Sequence, residues 1–587
     1  MAAPGLIIAE CLDPLGIRSY FLLSFGQEDV RIMRILSRDQ HWRRIARYTC
    51  STALVAGLLL PGARAASTAS AHSRASAGSV DSGTLTLTEN GLAADIDPAN
   101  NESEYGDTVE RNIDETLVRL AGSTLNSFEP DLATSWSSNA NKSIWTFHLR
   151  HGVKFHDGRC CMTATDVQYS LGRSAAAGLG GAYMLDRFLS ATDPFKQIKI
   201  IDPYTVEFDL GVSQPTFIAA MAQDYNALIL DSKAVKAHAT KADPYAHTWV
   251  ALPTHDVGTG PYMEQSWTAS QQMVLTRFPG YWGGWSGRHF GKVIISEVDD
   301  PATRRELMEK GQADITFDLT PSDYDALKQN PKVRVVAPYG TEVFYVAMNP
   351  YGPLASPLAR QAMSYAFDYN ALINGIMKGY AQRAVGPISS ETTGYDPHAF
   401  MYQTDLTKAK QLLQQAGVPA GTTLTYEYDD VFPNGAIGEI LQAQLAQLGI
   451  TLQLKQLDTA AYTNIIYGNE KPADRPSFMP YQWWEDYNDP YNAADTLVDS
   501  AQSVPAGSNL GQYHNKQVDA TLAKMRYADQ ATVIKYAKVL QNLTGQVDPP
   551  AIWVAQPAQT TVLASSLHGF VFNPIELRTF YFYEMFR

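Results

Sequence analysis

The chain has 587 residues, of which 45% are hydrophobic, 11% aromatic and 18% charged, enough for several buried cores and too much for one small domain or a low-complexity tail. Lys and Arg number 46 against 60 Asp and Glu, a formal charge of -14, with no basic run able to neutralise a string of phosphates, so nucleic acid is excluded as an expected partner. Cysteine occurs only at 11, 50, 160 and 161, with no CxxC pair. That pattern writes neither a disulfide framework nor a structural zinc site, and adjacent Cys160 and Cys161 are expected not to bridge without strain.

From Met33 the chain reads as an export signal. Arg34, Arg38, Arg43, Arg44 and Arg47 precede an apolar stretch over 50–60, and Ala63-Arg64-Ala65 satisfies the small-residue cleavage rule, which places cleavage after Ala65. The stretch is shorter than the roughly 20 apolar residues of a membrane span. An uncleaved anchor is the alternative. Residues before Met33 lack export character and suggest a start assigned too far upstream. Removing residues 1–65 takes away eight Arg and five carboxylates and leaves a net charge of -17. Residues 66–82, rich in Ala, Ser and Gly, are expected to form a flexible leader.

Strands and helices then alternate. Residues 84–88 repeat at period two, and Val109, Ile113 and Leu117 predict a helix over 106–120. Strands are expected at 145–149 and 204–208, on either side of a helix over 163–171 with Thr163 as N-cap and Asp166 at its third position. A strand at 293–298, a helix opened by Asp300-Pro301 and running to Lys310, and a strand at 313–317 form a βαβ pattern that predicts a parallel sheet. Helices near 358–367, 408–416 and 439–448 are separated by strands at 422–428 and 451–457. No fixed-period repeat is present, which excludes a solenoid or propeller.

The run Leu149-Arg150-His151-Gly152-Val153-Lys154-Phe155-His156-Asp157-Gly158, followed by Thr163-Ala164-Thr165-Asp166-Val167, resembles the signature of bacterial family 5 extracellular solute-binding proteins. These are the peptide, dipeptide and nickel binding components of ABC importers. The resemblance continues through Gly258-Thr259-Gly260-Pro261-Tyr262, Met348-Asn349, Arg360-Gln361-Ala362, Gly386-Pro387-Ile388, Ala409-Lys410-Gln411-Leu412-Leu413 and Pro549-Pro550-Ala551-Ile552, in order along the chain. Cys160-Cys161 departs from the usual pattern before the Thr-Ala pair. What the resemblance implies is an α/β fold of the two-lobed periplasmic-binding-protein type II kind, a clamp with an additional domain. Residues 83–118, 253–344 and 556–587 are assigned to one lobe, 345–555 to the second and 119–252 to the additional domain. The implied partners are a small peptide or similar solute and the membrane permease and ATPase subunits of an ABC importer, with the binding protein itself a monomer. The chain carries no GxxxxGK[ST] loop of its own.

In family peptide binders a W-x-x-D-Y type segment places an aspartate in the cleft to take the ligand's α-ammonium. Matched residue by residue, that aspartate is Asp486, with Trp483 three positions earlier. A carboxylate suits an ammonium because it accepts charge-assisted hydrogen bonds. The alternative is that Glu485, Asp486 and Asp489 form a solvated acidic loop turned by Pro490. Tyr481, Trp483, Trp484 and Tyr487 are dense enough to line a peptide cleft, with core packing the competing role for each. Tyr345 and Trp553 fall in regions the family places near the cleft, and Glu102 and Glu104 follow the first strand, where relatives make main-chain contacts. Lys471 and Arg475 are candidates for a ligand carboxylate, with a solvated loop charge as the competing role.

Metal binding by His148, His151 and His156 is not expected, since a strand and a turn need not bring them together. No cofactor fingerprint is present: Gly258-Thr259-Gly260 lacks the third glycine and is followed by Pro261. No GxSxG elbow is present either, so no catalytic residue is assigned and the protein is read as a non-enzyme. Binders of nickel chelates, oligosaccharides or opine-like solutes, and a secreted hydrolase that borrowed a clamp, are the alternatives.

Overall fold

The computed structural model describes residues 80–587 except 102, 191 and 224, together with three short strands near the amino terminus. Those strands, Leu6–Leu12, Arg18–Ser24 and Ile32–Arg34, pair antiparallel in a unit separate from residues 75–587. The apolar stretch at 50–60, the cleavage site after Ala65 and nearly all of the leader lie outside the described residues.

Three sheets organise the rest. A seven-stranded sheet runs in the order Tyr262–Thr268, Gln272–Arg277, Lys292–Glu297, Thr84–Glu89, Ile315–Phe317, Thr561–Ala564, Val333–Val336. The period-two pattern of the first strand has its physical reason here. Leu85 and Leu87 point to one core and sit opposite Val293 and Ile295 of a parallel neighbour. The expected βαβ unit forms: helix Pro301–Lys310, N-capped by Asp300 and closed by left-handed Gly311, links Lys292–Glu297 to Ile315–Phe317, and both strands run parallel to Thr84–Glu89 between them.

A six-stranded sheet runs in the order Ala381–Arg383, Ala551–Pro557, Val343–Met348, Phe478–Trp483, Thr423–Tyr428, Thr451–Gln456. Helices cover both of its faces, so its central strand Val343–Met348 is apolar and buried at every position. Phe344, Val346 and Met348 enter one core with helices Pro357–Ala366, Leu406–Gln415 and Asn434–Gln447. Val343, Tyr345 and Ala347 enter the other with helices Thr459–Ile466, Pro490–Val498 and Lys516–Met525. The chain passes between these two sheets after Val336 and again after Pro557, where Gln559 N–H donates to Pro338 O at 2.7 Å and Gln556 Nε2 donates to Gly340 O at 2.6 Å.

The third sheet, antiparallel, contains Ala133–Ser138, Ile144–Leu149, Ile198–Asp202 and Thr205–Asp209. Trp145, Phe147 and Leu149 point inward onto helix Ala164–Ala176, which begins with the expected Thr163/Asp166 capping box.

One expectation needs correction. The helix predicted over 106–120 spans only Glu104–Ile113, because Asp114 turns extended and Val118–Leu120 pairs as a strand with Phe128–Pro130; the helical spacing of Leu117 was overridden by that partner. Cys160 and Cys161 are bonded to each other across a cis peptide. The Gly258-Thr259-Gly260 turn has a steric reason: a Cβ at Gly258 or Gly260 would lie 2.0 Å from Ile113 O or 2.5 Å from Asn112 O, and Gly260 N–H donates to Ile113 O at 2.9 Å.

Candidate functional site

Asp486 lies on the loop between strand Phe478–Trp483 and helix Pro490–Val498, whose N-cap is Asp489. That loop is anchored rather than solvated. Glu485, Asp486 and Asp489 are 1%, 5% and 3% exposed, which removes the solvated-loop alternative. Asn488 holds the turn by donating to Thr393 Oγ1 at 2.8 Å and accepting from Thr393 N–H at 2.7 Å.

The Asp486 carboxylate is held by neutral groups. Tyr183 and Tyr225 hydroxyls both donate to Oδ1, Asn492 Nδ2 donates to Oδ2 at 2.7 Å, and the Asp486 N–H donates back to Asn492 Oδ1. Burial and the neighbouring Asp486 charge push the Tyr225 phenol well above its ordinary range, so it stays a donor. Among the described residues no guanidinium or ammonium pairs with Asp486. The nearby cation, Arg187, is engaged elsewhere: Nη1 donates to Tyr487 Oη at 2.5 Å and Nη2 to Asp489 Oδ2 at 3.0 Å, while the guanidinium stacks 4.3 Å from the Tyr491 ring. The negative charge of Asp486 is therefore fixed in place and uncompensated.

This carboxylate lines a cavity of about 830 Å³, the first chamber, between the Gly180–Arg187 and Tyr225 region on one side and the six-stranded sheet's loops on the other. Trp483, Trp484 and Tyr487 line it as well, and among the described residues the Trp483 indole N–H has no hydrogen-bond partner. Asp495, also in the wall, is pushed up to about 7 by burial, with Arg187 pulling the other way. A second chamber of about 680 Å³ lies between the seven- and six-stranded sheets and shares Val431, Thr459 and Gln482 with the first. Glu104, Arg578 and Asp486 line the narrow gap between the two.

The remaining expected residues fall differently. Tyr345 and Trp553 pack against each other in a buried core, with centroids 5.7 Å apart and Trp553 Nε1 donating to Thr544 O, and neither lines a chamber. Glu104 does line the second chamber, but its carboxylate is paired with Arg578. Glu102 lies outside the described residues. Arg475 is buried and donates to the carbonyls of Ile466 and Leu510, a staple for its own loop, and neither it nor Lys471 lines a chamber. His148 contacts Thr205, His151 stacks on Tyr204, and His156 bridges Asp256 and Gly260 O, so the three do not converge. Among the described residues no group of three or more His, Cys, Asp or Glu is placed to hold a metal ion. Tyr183, Tyr225, Arg187 and Arg578 were not found by sequence reasoning, because they come from segments 303, 261, 299 and 92 positions away from Asp486 along the chain and carry no local motif.

Two sheet-centred bodies joined by a double chain crossing, with a polar cleft at their boundary, define the class of two-lobed solute-binding clamps. The sequence profile of the bacterial extracellular solute-binding proteins, family 5 Middle, matches residues 127–504, and the chain belongs to that family. It is 31% identical over 456 residues to the probable D,D-dipeptide-binding periplasmic protein DdpA of Escherichia coli strain K12, covering 76% of this chain and 83% of that protein. Heme-binding protein A of Haemophilus influenzae is 27% identical over 478 residues, with 77% and 83% covered. The fold matches that of the ABC transporter-associated periplasmic binding protein DppA from Helicobacter pylori in complex with the peptide STSA, at a TM-score of 0.73 and 24% identity, over 86% of this chain and 98% of that one. No helix among the described residues is long and apolar enough to cross a membrane.

Proposed function

We propose that the protein is an exported receptor that captures a short peptide, or a related amine-bearing solute, between its lobes and delivers it to the permease and ATPase of an ABC importer. The observation that carries this reading is Asp486: a buried carboxylate, satisfied only by neutral donors, in the wall of a cavity large enough for a small peptide. An ammonium entering that chamber meets a full negative charge already oriented, and closure strengthens the contact by excluding water. Trp483 Nε1 offers a free donor to a guest carbonyl, and Trp484 and Tyr487 supply stiff aromatic walls. The two relatives named for D,D-dipeptide and peptide binding support the same class of guest.

In this reading residues 83–118, 253–344 and 556–587 form one lobe, 345–555 the other and 119–252 the additional domain, a division supported by the segments from which the three sheets draw their strands. Residues 1–65 act as the export signal. The protein acts as a monomer that binds without chemistry, and the guest shifts an open to closed equilibrium because it favours the closed state. Calorimetric titration of a dipeptide and its N-acetylated counterpart tests the assignment. The free amine is expected to bind at least about thirtyfold more tightly, and Asp486→Ala to abolish most of that difference. Equal affinity for both in the native protein would defeat it.

A further inference from the structure

The walls of both chambers are acidic well beyond the single anchor. Among the described residues the first chamber carries six carboxylates against two guanidiniums and the second five against two, with no lysine or histidine in either. Three of the four guanidiniums are engaged within the protein. Arg187 is bound to Tyr487 and Asp489, and Arg304 donates to the carbonyls of Val298, Asp299 and Asp318. Arg526 sits exposed at the rim of the first chamber, 5.3 Å from the Tyr527 ring.

Arg578, at the gap between the chambers, is outnumbered. Glu104 binds its Nη1, Asp318 Oδ1 lies 3.3 Å from Nη2 and Glu342 Oε2 lies 3.7 Å away, so three carboxylates surround one cation. Glu342 is 0% exposed, lines the second chamber and receives Gln559 Nε2 on Oε2 at 2.7 Å, while its Oε1 has no hydrogen-bond partner among the described residues. A fully buried carboxylate oxygen without a donor is costly unless something supplies one. Among the described residues no protein group does so; burial raises the Glu342 carboxyl while Arg578 and the Gln559 hydrogen bond pull it down, and a cation brought to this cluster of three acids around one guanidinium would supply the missing partner and favour the charged form.

We infer that the preferred guest carries two positive groups, one held at Asp486 in the first chamber and the second, an ammonium or guanidinium, held at Glu342 and Asp318 in the second. A basic side chain or an amidated basic peptide meets this requirement, whereas an acidic side chain places like charges together in a dry cleft. The shared wall at Val431, Thr459 and Gln482 lets one short guest reach both chambers. The inference rests on Asp486 taking an amine, and it adds a second selecting site.

The test is calorimetric titration of the purified protein with Ala-Ala, Ala-Glu, Ala-Arg, Ala-Arg-amide and cadaverine, repeated with Glu342→Gln and Asp318→Asn, each variant checked for native denaturation behaviour. Ala-Arg-amide is expected to bind at least about tenfold more tightly than Ala-Ala and Ala-Glu about tenfold more weakly, with the spread shrinking as salt rises from about 20 to about 300 mM. Either substitution is expected to lower the ratio of Ala-Arg-amide to Ala-Ala affinity about fivefold to tenfold. Ala-Glu binding as tightly as Ala-Arg-amide, or a ratio untouched by both substitutions, overturns the inference while leaving peptide capture intact. Cadaverine binding that weakens in Glu342→Gln, without binding of any dipeptide, overturns peptide capture and supports the two-cation guest. Failure of all five probes overturns both.

Discussion

Asp486 and Glu104 are both carboxylates in chamber walls, and the sequence offers both as ligand contacts, yet their surroundings make them opposites. Asp486 is held by two phenols and an amide, none of which cancels its charge. Glu104 is paired with the Arg578 guanidinium, and burial, aided by Asp318 and Glu342, still pushes its carboxyl up to about 7 against the pull of that arginine. A cation receptor needs charge that is fixed but unmatched; a carboxylate matched by arginine chiefly fastens the fold. The difference lies in the donors, not in the acid.

The sharpest way to break this contrast is to remove the cation on the Glu104 side. Arg578→Ala strands three carboxylates and is expected to cost about 3–5 kcal/mol of folding stability in chemical denaturation, with partial recovery at low pH as the acids protonate. Asp486→Ala is expected to show the reverse balance, a loss of about 2–4 kcal/mol in affinity for an amine-bearing guest by calorimetry with a smaller loss of stability than Arg578→Ala. If the two substitutions gave the same pattern, the distinction between anchor and fastener would fall. Tyr225→Phe removes a buried donor to a charged acceptor and is expected to destabilise the fold by about 1.5–3 kcal/mol, read as a lower denaturation midpoint at unchanged slope.

The pH dependence sharpens the same point more gently. Glu104, Glu264 and Asp495 are all raised to about 7, chiefly by burial, and His247 is raised chiefly by its hydrogen bond to Asp97. Groups raised on folding contribute stability that is complete below their unfolded values and is lost as pH climbs through the folded ones. The melting midpoint is therefore expected to be higher at about pH 5.5 than at about pH 8. Asp97 works the other way: burial would raise it, but hydrogen bonds from Arg173 and His247 hold it below the usual carboxylate range, so its contribution fades only in stronger acid. The smallest effect belongs to Tyr345→Phe, which removes a buried hydroxyl that has no hydrogen-bond partner among the described residues. It is expected to leave guest affinity unchanged and to move stability by less than about 1 kcal/mol; a change in affinity would return Tyr345 to the site.

Much of the framework was legible because local chemistry and tertiary packing agree there. Period-two alternation placed Thr84–Glu89 and Ile144–Leu149, and Asp300-Pro301 and Thr163/Asp166 marked helix starts that the fold uses. The reading failed where a distant partner outbid local pattern, as when Phe128–Pro130 drew Val118–Leu120 into a strand. Aromatic density marked a loop that lines the first chamber, but it did not separate Trp483 and Trp484 in the chamber wall from Tyr345 and Trp553 in the core, because both environments favour large rings.

The sequence alone determined part of the alternation of strands and helices and the family, and it pointed to the aspartate after the paired tryptophans, since propensity, capping and motif spacing are written in neighbouring residues. Tertiary structure alone decided which charges cancel. Tyr183 and Tyr225 reach Asp486 from about 300 and 260 positions away, and Glu104 meets Arg578 across 474. Coulomb interactions and hydrogen bonds depend on distance in space, and only the folded chain sets that distance.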